Sequence, residues 1–266
     1  MESNYISIGY EQLALAALLI LIKITLSWVL RLGLSQSLWL ASLRMVVQLL
    51  LVGYVLEWIF TLRNPGGILA IALGMTAIAG TSAVNRSRRR FSHVYWNSFV
   101  SILASSFLVT SLAVLAIIRI EPWYDPQYLI PLLGMVLGNA LTGISLALDR
   151  FMEDLVSQRE KVEALLALGA TRWEAARERV KEAIRAGMIP TINSMMVMGL
   201  VSLPGMMTGQ ILAGASPIDA VRYQIVIMFM IASGTALGTM GIVMLAFRAL
   251  FSQKHRLHLE RLRLTK

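Results

Sequence analysis

Charged residues in this chain are gathered into short blocks, and the stretches between them run apolar for about 20 residues, the length that crosses a hydrocarbon core about 30 Å thick. Only 15% of the 266 residues are charged, against roughly a quarter in a soluble domain. Stretches of this kind stay out of water only when lipid covers them. The expected fold is an all-α, polytopic integral membrane protein with about seven transmembrane helices. They are read over residues 10–30, 39–61, 66–84, 95–118, 128–148, 188–213 and 222–247. The opening Met1-Glu2-Ser3-Asn4-Tyr5 has no positive n-region, so the first apolar run is expected to be a retained span. Cysteine is absent, which removes disulfides and thiolate metal sites.

A net charge of +9 and a pI near 10.2 could suit a nucleic-acid binder. In so apolar a chain they match the excess of Lys and Arg that marks the inner loops of membrane proteins, and no nucleic-acid partner is expected. With the N-terminus outside, the inner side holds Arg31, Arg86, Arg88, Arg89, Arg90, eight basic residues of the 150–187 segment and six of the tail from Arg248. Those are nineteen in all, and only Arg63, Arg119 and Arg222 fall outside. Glu2, Glu11, Glu57, Glu121, Asp125 and Asp219 lean to the outer side. One span more or fewer would invert every later loop. The expected protein lies in the cell (inner/plasma) membrane with its N-terminus outside and its C-terminus in the cytoplasm. Residues 1–266 read as a single membrane domain whose sizeable extramembrane parts are the segment 149–187 and the basic tail 248–266.

Residues 149–187 read as helix, break, helix. Val162, Leu165, Leu166 and Gly169 follow helical spacing on one apolar face. Glycine commonly follows a helix end because it accepts positive φ, and Thr171-x-x-Glu174 is a capping box that would start a new helix. The new helix carries Trp173, Ala176, Val180 and Ile184 on one stripe, with Trp173 exposed. Two uses fit: a helix lying in the headgroups, or one docking into a groove on a cytosolic partner.

Glu163-Ala164-x-x-x-Leu168-Gly169-Ala170 loosely resembles the EAA-type loop of ABC importer permeases, with Leu165 in place of the second alanine. A fuller set runs in order along nearly the whole chain. It comprises Arg44-x-x-x-Gln48-Leu49 with Val52-Gly53-Tyr54-Val55-Leu56, Gly134-Met135-x-x-Gly138-Asn139-Ala140, and Leu168-Gly169-Ala170-Thr171. Ile184-Arg185-Ala186, Ile189-Pro190-Thr191, Val201-Ser202-Leu203-Pro204-Gly205-Met206-Met207-Thr208-Gly209 and Tyr223-Gln224-Ile225 complete it. These blocks resemble the small permease family of the bacterial Fet-type iron exporter and the plant aluminium-tolerance permeases. The resemblance implies an ABC-type permease homodimer served by a separate ATP-binding subunit. Glu163, Leu168, Gly169, Ala170, Thr171, Arg172 and Trp173 would then be the coupling contacts. It also brings in iron, another metal ion or a nucleotide sugar as cargo. The chain has no Gly-x-x-x-x-Gly-Lys-Ser/Thr loop, so ATP and Mg would be bound by the partner; no catalytic residue and no cofactor of its own are expected.

Gly199, Pro204-Gly205, Gly209 and Gly214 interrupt the sixth apolar stretch, and transporters put such breaks where substrate passes. Ser202, Pro204, Gly205, Met206 and Met207 are the first choice for a translocation path, against a plain packing kink. Met195, Met196, Met198, Met206 and Met207 read as a pliable apolar lining; thioethers favour soft ions and do not argue for iron. Intramembrane polar residues add Arg44, Gln48 and Asn139 to the path, with snorkelling an equal account of Arg44 and an interhelical hydrogen bond expected from Asn139. Gly134-x-x-x-Gly138 and Gly234-x-x-x-Gly238 read as close-packing faces. Glu57, Glu121 and Asp125 could hold a cation in transit, or be solvated loop groups. His255 and His258 read as solvated tail residues. An ATP-independent channel or scaffold is the alternative from another class, and a membrane-embedded enzyme ranks last.

Overall fold

The computed structural model describes residues 9–61 and 64–264; Glu2, Arg63 and Lys266, which enter the charge pattern, lie outside them. Among the described residues, six helices are long and apolar enough to cross a membrane. They are α1 (Tyr10–Val29), α2 (Ser35–Thr61), α3 (Pro65–Asn85), α4 (Val94–Leu112) with its π-helical extension Ala113–Ile118, α5 (Pro126–Ser157) and α9 (Pro217–Leu250). Between the last two come α6 (Arg159–Ala167), α7 (Arg172–Val197) and α8 (Gly205–Leu212).

The region expected as a sixth span, 188–213, is not one helix. The amphipathic helix expected to end near 184 and the span expected from 188 are joined as α7, which runs through Pro190 without a stop. Pro190 lies on the exposed side of α7, so the carbonyl that loses its donor is not trapped in the core. The interruption falls at 198–204. There Gly199 takes φ +82, its N–H donates to the Ser202 carbonyl at 2.9 Å, and Pro204 caps the eight-residue α8. At 1.5 Å per residue α8 is about 12 Å long, too short to cross alone.

Helix α5 is the hub, packed against α3, α4, α7 and α9. α7 runs antiparallel to α9: Trp173 meets Phe247, Gly187 meets Thr239, and Met198 meets Gln224. The 34 residues of α9 span about 51 Å, well beyond a 30 Å core. The C-terminal turns of α5 and α9 therefore stand clear of the apolar slab together with the first turns of α7, and form a polar end. Lipid offers no hydrophobic drive for helices to associate, so contact relies on small residues and hydroxyls. Ser98 Oγ donates to the Gly80 carbonyl and Ser101 Oγ to that of Gly238, each at 2.9 Å. Gly234 and Gly238 lie against Val136 and Ile144, as their spacing predicts. The Gly134–Gly138 pair does not do the same within the chain: Gly138 has nothing within 4 Å of its missing Cβ. The closest glycine approach to another helix's backbone is between Gly143 of α5 and Gly187 of α7, two glycines on different helices, which no spacing within one helix reveals. α1 and α2 pair with each other and touch the bundle lightly; Ser27 and Ile59 are their only buried residues.

The basic tail folds back onto the polar end. Arg263–Leu264 (β2) pairs antiparallel with Arg89–Arg90 (β1), and Arg261 donates to the Ala249 carbonyl at 2.7 Å. Asp149 holds the loop before α4 by accepting from the Arg88 N–H at 3.0 Å and from Ser87 Oγ at 3.3 Å. The two tail histidines, read as solvated, stay at the surface and also take hydrogen-bond partners. His255 Nδ1 accepts the Arg172 N–H at 2.9 Å, and His258 Nδ1 lies 2.6 Å from Glu260 Oε1.

Candidate functional site

Two features stand at opposite ends of α7. At the polar end, α6 closes with a Schellman motif: Ala170 N–H donates to the Leu165 carbonyl at 3.0 Å and Gly169 N–H to that of Leu166 at 3.1 Å, with Gly169 at φ +92. α7 opens two residues later with the capping box its sequence predicts. Thr171 Oγ1 accepts the Glu174 N–H, and Glu174 Oε2 accepts the Thr171 N–H at 2.7 Å. The hydrogen bonds from the Thr171 hydroxyl and N–H hold the Glu174 carboxyl below its usual range. Val162 anchors α6, and Ala175 and Ala176 anchor α7, all with no exposed surface. What projects from this braced turn is Leu168, 86% exposed, and one side of Trp173, whose ring edge rests on Phe247 at 5.7 Å. Arg172 lies over the Phe247 face at 5.6 Å, and Glu163 pairs with Arg159 at 2.8 Å. The seven residues predicted at 163–173 thus form one surface, although Trp173 is partly packed and not wholly free.

At the other end, the 198–204 interruption and α9 enclose a cleft of about 410 Å³ lined by Met195, Met198, Pro204, Met207, Gln224 and Met228, among others. Gln224 is buried, its Nε2 faces Met198 Sδ at 3.9 Å, and its Oε1 has no partner among the described residues. A buried amide oxygen left unpaired costs roughly 1–3 kcal/mol, so it is available to any donor or cation that enters. Of the predicted path residues, Pro204 and Met207 line this cleft. Ser202 shapes the break through its backbone, Gly205 is the first residue of α8, and Met206 packs against the neighbouring core. Arg44, Gln48 and Asn139 are not brought there. Arg44 and Gln48 sit on the exposed α2, and Asn139 Nδ2 donates to the Met135 carbonyl of its own helix at 2.9 Å instead of bridging helices. Glu57, Glu121 and Asp125 do not converge either, because Asp125 is committed to capping α5 through the Gln127 N–H. Among the described residues no group of three His, Asp or Glu side chains could hold a metal ion. Gln224 was not among the predicted path residues. A lone amide in the apolar run of α9 was the signal that could have found it.

The family model described as "Uncharacterised protein family (UPF0014)" matches residues 10–251, which include both features. The chain belongs to this family. Three relatives match over most of their length. "UPF0014 membrane protein slr1647" from Synechocystis is 42% identical over 84% of this chain and 86% of its own. "Probable iron export permease protein FetB" from Escherichia coli is 33% identical over 96% of each. "Protein ALUMINUM SENSITIVE 3" from Arabidopsis thaliana is 34% identical over 94% and 90%. No solved structure matches. This UPF0014 member is a multi-pass membrane protein, in line with the resemblance drawn from its sequence motifs.

Proposed function

We propose that the chain is the membrane-spanning subunit of an ATP-driven exporter. The polar end would face the cytoplasm of the cell membrane, with the N-terminus outside. Two copies would form the pathway, and a separate ATP-binding subunit would bind ATP and Mg and grip the 163–173 surface. The carrying observation is the exposed Leu168 and Trp173 on a turn braced from both sides, continuous through α7 with the cleft at 198–204. A projecting leucine beside an aromatic anchor is the kind of contact an amphipathic groove on a partner takes up. The excess of basic residues at that end supports the orientation. Iron as cargo rests on the printed name of the Escherichia coli relative. The cleft's thioethers and single amide would pass a cation without holding it firmly.

The test is co-expression with a candidate ATPase, followed by co-purification, ATP hydrolysis and iron efflux in proteoliposomes. Leu168→Asp and Trp173→Ala should each abolish stimulated hydrolysis and efflux while the melting temperature of Leu168→Asp stays that of the parent. If both variants hydrolyse and transport normally, the coupling surface is wrongly assigned. If the chain alone carries iron without nucleotide, the ATP-driven reading fails.

A further inference from the structure

Three arginines from separate parts of the chain line one pocket of about 500 Å³ at the polar end. Arg172 is the first residue of α7, Arg248 lies in the last turn of α9, and Arg261 belongs to the tail. Phe251, Ser252 and Gln253 complete the lining, and no Asp or Glu takes part. None of the three guanidinium groups has a carboxylate within ion-pair distance among the described residues. The two nearby tail and cap carboxylates are engaged elsewhere, Glu260 on His258 and Glu174 on Thr171. Two of the arginines are held in place without being neutralised: Arg172 lies over the Phe247 ring, and one η nitrogen of Arg261 donates to the Ala249 carbonyl. Like charges gathered around one pocket repel, so the fold keeps an unfavourable arrangement that an anion would relieve.

We infer that this pocket binds a phosphate-bearing anion, either a soluble phosphate or the headgroup of an anionic lipid. Guanidinium forks match tetrahedral oxyanions with paired, charge-assisted hydrogen bonds, and the preset positions of Arg172 and Arg261 lower the ordering cost of binding. The Ser252 hydroxyl already accepts from the Arg256 N–H and keeps its own proton to donate. Because the site joins the start of α7, the end of α9 and the tail, a bound anion fastens the tail to the helix that bears Trp173. The inference stands on this pocket alone and does not depend on which subunit, if any, docks at Leu168.

The experiment uses the full chain. In neutral detergent, inorganic pyrophosphate at fixed ionic strength is titrated by calorimetry. In nanodiscs, the melting temperature is compared between phosphatidylcholine alone and a mixture with phosphatidylglycerol. Pyrophosphate binding in detergent assigns a soluble ligand, and a rise confined to phosphatidylglycerol discs assigns a lipid headgroup. Arg248 makes no side-chain hydrogen bond among the described residues, so Arg248→Gln leaves the fold intact. It should weaken whichever response is seen by roughly tenfold or more. Arg248→Lys should keep part of it. Absence of both responses overturns the inference, as does a response that Arg248→Gln leaves unchanged. Weaker co-purification of an ATPase with Arg248→Gln, without anion binding, would make these arginines a protein contact and overturn it too.

Discussion

Gly187 is where α7 meets both α5 and α9, and replacing it by alanine measures how tightly that junction is set. A methyl group there would lie 2.6 Å from the Gly143 carbonyl oxygen, 2.7 Å from Thr239 Cγ2 and 2.9 Å from Ala147 Cβ, where ordinary contact starts at 3.4 Å. The oxygen belongs to the backbone in the middle of α5, so relief requires the helices to part by about 0.8 Å. Overpacking of that kind costs roughly 1–3 kcal/mol. Against it stands the gain from removing a helical glycine, up to about 1 kcal/mol. Gly138→Ala supplies the reference: the same chemical change inside α5, with nothing within 4 Å to strike, so that only the gain remains. The steric cost is the difference between the two variants. At about 2–4 °C per kcal/mol for a domain of this size, Gly187→Ala should melt at least about 2 °C below Gly138→Ala. Tryptophan fluorescence on heating, in one detergent, reads both. Equal melting temperatures would refute the close junction, and a reversed order would move the tight contact to Gly138, where a second copy would have to supply it.

Thr171→Ala removes the N-cap acceptor of α7. It should cost about 1 kcal/mol, seen as a lower melting temperature and faster amide exchange at Trp173 to Ala175; unchanged exchange would show the cap to be idle. The Glu174 carboxyl is depressed in the folded state, so its contribution is present above the ordinary glutamate value of about 4.3 and is lost as pH falls through the folded one. Glu174→Gln should therefore flatten the acid limb of a stability–pH curve and leave neutral pH behaviour of the other groups in place; an unaltered acid limb would remove this carboxylate from the linkage. Gln224→Leu removes a buried amide whose oxygen is unpaired. It should leave stability equal or higher yet reduce transport, and intact transport would take the cleft off the path.

The membrane helices were legible because their signal is additive: 20 apolar residues in a row outweigh any local exception. The turn at 168–174 was legible for the opposite reason, since Gly169 and the Thr171/Glu174 pair are local devices whose partners lie within four residues. What escaped depends on residues distant in the chain. His255 meets Arg172 across 83 positions, and β2 returns to β1 after more than 170. A basic tail and a solvated tail have the same composition. The sequence puts a span edge at 188, where the charged stripe gives way to an apolar run, but α7 continues across it and carries Pro190 on an exposed face. Asn139 and Asp125 had the chemistry for a site but were taken up by their own helices, one bonding back four residues and the other capping.

An unbroken α7 held near its middle has the mechanics of a lever. Gly187 divides it into arms of about 22 Å toward Arg172 and about 15 Å toward Val197, at 1.5 Å per residue. A 3 Å push on the long arm then becomes a swing of about 2 Å in the opposite direction beside Met198. That is comparable to the width of a bare cation. Rotation about such a fulcrum converts a squeeze at one end into opening at the other, with no need for the helix itself to bend.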